Sequence, residues 1–359
     1  TNRLYCFINK RIKFIMAYTT INKSSEHMNP VLYTGNSSTQ AVTGVGFQPD
    51  WTWLKARSES ASHEIFDVVR GVTKTINSNT NNAEATQADS LTSFDSDGFT
   101  LGSNGDLNFN GSTYVGWNWK AGGTASTNTD GSIDSQVSVN TDAGFSVVKY
   151  TAPSGVSTIG HGLGVVPNVI MLKVLDEAGG WFFGMPELNG WQNRLILNST
   201  GSSTTETRAF YANGSAPTNT VWATDQNSMG SPGDVVAYCF ASVKGFSKFG
   251  SYTGNGSTDG TFIYTGFSPS FIMFKNASVT ESWTILDLKR ASVPNANPNA
   301  NVLWPNDNFA EYDETQGIDF LSNGFKVRES ATGFNGSGNT IIYMAFAENP
   351  LVGTNNVPA

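Results

Sequence analysis

The chain has 359 residues, a net charge of −8 at pH 7 and only 14 % charged side chains, which excludes the basic stripe that a nucleic-acid binder needs. Aromatic residues reach 12 %, too many for a disordered chain, while abundant Gly, Asn, Ser and Thr favour turns over helices. Cys6 and Cys239 stand far apart with no His or Cys cluster beside either, so no disulfide framework, metal site or cofactor is expected.

Residues 1–31 read as an extended N-terminal arm. Leu4, Phe7, Ile8, Ile12, Phe14 and Ile15 are apolar yet precede the repeated part of the chain. No run among them is long enough to span a bilayer, so membrane insertion is not expected. The expectation is that this arm docks on a neighbouring subunit by adding a strand to an open sheet edge.

A first repeat occupies residues 32–121. Trp51, Trp53 and Lys55 alternate with Thr52 and Leu54, which predicts a strand with its aromatic residues on one face. Residues 122–143 are rich in Gly, Ser and Thr and read as a linker. The second repeat, residues 144–246, is more worn, and the third, residues 247–350, follows it almost at once. Repeats 2 and 3 are therefore expected to be rigidly coupled and repeats 1 and 2 loosely. Residues 351–359 form a C-terminal tail.

Three anchors carry the repetition. Pro49, Pro167 and Pro269 are each followed six residues later by Lys55, Lys173 and Lys275, and Tyr114, Tyr238 and Tyr343 mark the closing segments. A glycine three residues before each proline permits the turn that sets the register of the next strand. Short strands at spacings of 8 to 15 residues, with no sustained helical period, predict an all-β fold. Its form is three internal repeats as tandem antiparallel β-sandwich domains, jelly-roll-like or Ig-like.

Catalytic signals are sparse. His27, His63 and His161 have no metal-ligand spacing, and His161 in G-H-G-L-G reads as a turn residue. Asp67 and Asp287 hold matching positions, each followed three residues later by Arg70 or Arg290. They read as Asp–Arg pairs tying a strand end, with paired-carboxylate chemistry as the alternative. Repeat 2 has W-F-F-G-M at that place. Trp191, Trp222 and Trp304 lie in turn-rich stretches and are the candidates for exposed rings that stack on sugars.

The wording of the repeats carries a family likeness. Y-T-G-N at Tyr33, G-V-G-F-Q-P-D-W-T-W-L-K at Gly44, V-V-R-G-V-T-K at Val68, L-T-S-F-D-S-D-G-F-T-L-G at Leu91 and Y-V-G-W-N-W-K-A-G at Tyr114 occur in order. G-F-S-K-F-G-S-Y-T-G-N-G at Gly245 and D-F-L-S-N-G-F-K-V-R at Asp319 continue the series. This resembles a repeat domain of tailed-phage virion proteins, above all those of marine phages. The resemblance implies a non-enzymatic structural protein at the virion surface, a tail fibre, host-attachment or capsid-attached protein. It also implies self-association, contact with other virion structural proteins, and host-surface polysaccharide as a partner. Two other readings stay open: a secreted carbohydrate-binding module or polysaccharide-active enzyme, and a cell-surface layer or filament subunit.

Overall fold

The computed structural model describes residues 19–293 and 297–350. The candidate arm residues 4–15 and the tail lie outside the described residues. The described fold is all-β, built of several antiparallel sheets, none of them closed into a barrel. Its few helical pieces are three or four residues long.

The three repeats form three sandwich-like units, each with an inner and an outer sheet; the inner sheet is the larger in units 1 and 2, and the two are of equal strand number in unit 3. Four strands recur in the same order within every inner sheet: opening, closing, central and flanking. In unit 1 they are Met28–Thr34, Thr113–Trp119, Trp51–Ala56 and Glu64–Asp67. In unit 2 they are Phe145–Ala152, Gly233–Phe240, Val169–Val174 and Phe182–Gly184. In unit 3 they are Ser247–Thr253, Thr340–Pro350, Phe267–Asn276 and Thr284–Asp287. The turn glycines that precede the central strands, Gly46, Gly164 and Gly266, all have positive φ, at 86°, 72° and 87°. A side chain there would be strained, so the glycine sets the entry of each central strand.

Each central strand is buried along both faces. Alternate residues point outward into a core that the unit keeps for itself: Leu54 in unit 1, Ile170 and Leu172 in unit 2, Ile272 and Phe274 in unit 3. The residues between them point inward into one core shared by all three units. Trp51 and Trp53, Val169 and Met171, and Phe271 and Met273 meet there. Closing-strand residues Trp117 and Trp119, Tyr238 and Phe240, and Met344 and Phe346 join them. The Trp51 ring lies 4.7 Å from Tyr238 and 5.6 Å from Phe145 of unit 2, and Trp119 lies 5.7 Å from Phe271 of unit 3. The chain is thus layered from the centre outward: shared core, inner sheets, separate unit cores, outer sheets.

Several expectations are corrected by this packing. Repeats 1 and 2 are not loosely joined, because their inner sheets bury aromatic faces against each other. The linker expected at residues 122–143 carries the strands Ser126–Asn128 and Ser135–Asn140, which extend the inner sheet of unit 2. Residues 19–31, expected as arm, belong to unit 1. Ile21 is fully buried in the shared core, and Met28 already pairs with Trp119. The anchor tyrosines are not equivalent either. Strand register aligns Trp117, Tyr238 and Met344, opposite Trp53, Met171 and Met273. Tyr238 therefore faces the shared core, whereas Tyr343 faces the core of its own unit.

The Y-T-G-N segments clamp the short helix before the closing strand. Tyr33 donates its hydroxyl to the Leu107 carbonyl at 2.9 Å, and Tyr252 to that of Phe334 at 2.6 Å. Asn36 and Asn255 exchange hydrogen bonds with Asn108 and Asn335. A Cβ at Gly35 or Gly254 would come within 2.3 Å of a backbone oxygen, so only glycine fits between the two segments. Unit 2 keeps the tyrosine but has Ala152 and Pro153 for Gly and Asn. The Tyr150 hydroxyl is consequently buried without a hydrogen-bond partner. Since such a group costs about 1–3 kcal/mol, Tyr150→Phe should raise the urea midpoint, whereas Tyr252→Phe, which breaks a buried bond, should lower it. A lowered midpoint for Tyr150→Phe would show that the hydroxyl is satisfied.

Candidate functional site

The two Asp–Arg pairs found in the sequence do tie strand ends, and each also locks one unit to another. Asp67 ends a flanking strand, accepts from the backbone N–H groups of Val69 and Arg70, and takes the Arg70 side chain at 2.5 Å. Its Oδ2 also accepts the Tyr238 hydroxyl of unit 2 at 2.8 Å. In unit 3, Asp287 takes Arg290 at 2.6 Å and accepts the indole N–H of Trp117, from unit 1, at 2.9 Å. Glu84 and Glu311 complete the two clusters on the outer side of the guanidinium. Burial lowers the pKa of both guanidinium groups, but the surrounding carboxylates more than offset it and hold them above the ordinary value.

At the flanking strand of unit 2 every member of this cluster is replaced. Register places Met185 where Asp67 and Asp287 stand, and Leu188 follows three residues later where the arginines stand. The aromatic donor of unit 3 at this position is replaced by Met344. All three apolar residues lie in the shared core. With acceptor, cation and donor all replaced, none of the three positions carries a polar group that needs a partner.

A second set of contacts links unit 2 to unit 1, unit 3 to unit 2 and unit 1 to unit 3. The Trp181 indole of unit 2 donates to the Asn77 carbonyl of unit 1 at 2.8 Å, and Trp283 of unit 3 donates to the Ile196 carbonyl of unit 2 at 3.1 Å. His63 of unit 1, at the same position, has the Trp304 carbonyl of unit 3 beside its ring, although Nε2 closes no hydrogen bond of normal geometry. Burial holds this imidazole well below its ordinary pKa, and Nδ1 accepts the Trp53 N–H. The backbone N–H of each of these three residues donates to an asparagine: Asn79, Asn198 or Asn306. These asparagines lie two to four residues beyond the strands Gly71–Ile76, Asn193–Ile196 and Asn299–Val302, a variable spacing that carries no distinctive sequence signal.

Lys55, Lys173 and Lys275 end the inward-facing rows of the central strands. Each ammonium donates to the carbonyl of the following residue, and burial brings each pKa down to about 8. They seal strand ends.

Of the three tryptophans expected at the surface, two are not there. Trp191 packs against Phe210, and Trp222 packs against Tyr150, both inside the core of unit 2. The turn-rich stretches that carry them fold back over that core. Trp304 alone is partly exposed. It lines a cleft of about 330 Å³ in unit 3 together with Phe309, Glu281, Ser282, Thr284 and Asp307. Phe309 stands edge-on to Trp304 at 6.2 Å, and Tyr312 lies 6.1 Å away. The equivalent positions in units 1 and 2 are Asn77 and Ile196, so those units have no such ring.

The cleft is built from unit 3 but braced by the other two. Asn306 fixes the 304–309 loop to Trp283, the Pro305 carbonyl accepts from Ser78, and the Asn308 carbonyl accepts from Ala61 of unit 1. The Glu281 N–H donates to Thr200 of unit 2. The arrangement offers a flat indole face, a second ring and two carboxylates. Among the described residues, no three His, Cys, Asp or Glu side chains stand together as a metal-holding group, and no helix is long and apolar enough to cross a membrane.

A family model described as a domain of unknown function, DUF7483, matches residues 23–350. Neither the curated proteins nor the solved structures yield a match. Within the lock, Asp67→Met should cost about 3–5 kcal/mol, because it removes the fully buried carboxylate that pairs with Arg70 and accepts the Tyr238 hydroxyl. Adding Arg70→Leu and Tyr238→Met, which copies the arrangement of unit 2, should recover more than half of that loss in urea unfolding. No recovery would mean that the cluster is not exchangeable for apolar contacts.

Proposed function

The chain belongs to the DUF7483 family, and from that premise we propose that it is a non-enzymatic structural protein of a tailed-phage virion that attaches the particle to host-surface polysaccharide. On this reading each unit is a jelly-roll-like or Ig-like sandwich variant, and the protein stands at the virion surface among other virion structural proteins. The observation that carries the attachment role is the cleft on unit 3. A partly exposed indole beside a second ring suits the apolar face of a sugar, and the neighbouring carboxylates and hydroxyls suit its hydroxyl groups. The rigid three-unit body supports the structural role, because it holds such a cleft without a moving part. The cleft also suits a secreted carbohydrate-binding module, so location must be tested separately from binding.

Two measurements check the proposal together. Mass spectrometry of gradient-banded particles should detect the protein at constant stoichiometry. Purified protein should be retained on immobilised envelope polysaccharide, and Trp304→Ala should weaken retention about tenfold or more. Retention without particle association would favour the binding module. Absence of both would reject the proposal.

A further inference from the structure

The chemistry of the same cleft narrows the class of sugar. Its ionisable lining consists of Glu281 and Asp307, and no lysine, arginine or histidine lines it. The Glu281 carboxylate lies over the Gly333 backbone, where an added Cβ would come 3.2 Å from Oε2. Asp307 accepts the Asn308 N–H through Oδ1. Lys275 feels the charge of Glu281, and Lys55 that of Asp307 among other groups. Both lysines are fully buried and turn their ammonium groups to carbonyls of Asn276 and Ala56, so neither faces a ligand in the cleft. A uronate or sulfated sugar would meet two carboxylates and no cation. A neutral sugar would stack on Trp304 and leave part of the acceptor capacity unused. An amine-bearing sugar uses both features, because its ammonium donates to carboxylate oxygens and is attracted to aromatic faces.

We propose that the unit 3 cleft binds amine-bearing saccharides, with Trp304 and Phe309 seating the ring and Glu281 and Asp307 receiving the ammonium group. This rests on the polysaccharide-binding reading above and specifies its ligand. A positive charge can also come from a choline-type quaternary group, which shares the attraction to carboxylates and aromatic faces but has no N–H to donate and no sugar ring.

Calorimetric titration of the full chain with a glucosamine tetramer, its fully N-acetylated counterpart, an oligogalacturonate and choline separates these cases. The glucosamine tetramer should bind at least about tenfold more tightly than the acetylated one, and its affinity should fall with added salt. Oligogalacturonate should not bind. Glu281→Gln and Asp307→Asn should each narrow the preference for the free amine, whereas Trp304→Ala should weaken both glucosamine-based ligands. Far-UV circular dichroism and the melting temperature of each variant confirm that it is folded. Equal or tighter binding of the acetylated tetramer would overturn the amine assignment and leave the cleft a saccharide site. Choline binding as tightly as the glucosamine tetramer would overturn the saccharide source. No binding of any sugar would reject the cleft as a saccharide site, and the amine assignment with it.

Discussion

The structure depends on inner sheets that are apolar on both faces. A sandwich needs one buried face per sheet, and here the central strands offer two. The second face carries Trp51 and Trp53, Val169 and Met171, and Phe271 and Met273, and only the other units can cover it. Exposing that face would cost roughly 25 cal/mol per Å² of apolar area, a penalty that large aromatic side chains make prohibitive for an isolated unit. The three units are therefore parts of one cooperative body, not beads on a string.

The polar contacts at the interfaces follow from this burial. An aspartate or an indole N–H that enters the shared core is costly unless it finds a partner there; Asp67, Asp287 and Trp117 do, whereas the indole N–H groups of Trp51 and Trp119 do not. Trp117 with Asp287 and Tyr238 with Asp67 are such solutions, and Met344 with Met185 and Leu188 is the solution without polar groups. These clusters make the order of the units specific, because each donor reaches an acceptor on only one neighbour. The same interlock reaches the cleft. Its loop is held by Ser78 and Ala61 of unit 1, and the backbone at Glu281 by Thr200 of unit 2. A site on one unit thus takes its rigidity from all three.

Much of the fold was legible in the sequence. Alternation through Trp51, Trp53 and Lys55 gave a strand and its faces, and the Pro-to-Lys spacing aligned three central strands correctly. The Asp–Arg pairs were readable because each arginine follows its aspartate by three residues, within reach around one turn. Alternation does not say what covers a face, however, so the shared core stayed hidden and unit 1 looked loosely joined to unit 2. Tyrosine identity misled the alignment of the closing strands, since Tyr114 and Tyr343 sit out of register with Tyr238. Trp191 and Trp222 looked exposed because they lie in turn-rich stretches. Chain direction after a turn, not composition, decides whether such a ring turns inward. The cleft was half legible: Trp304 stood out, whereas Phe309, Glu281 and Asp307 meet it only through the fold.

The shared core is tested most directly by differential scanning calorimetry of the full chain. A single transition whose calorimetric enthalpy equals the van't Hoff enthalpy is the result that three interlocked units predict. Two or three resolved transitions, with residues 247–350 melting as an independent unit, would contradict it.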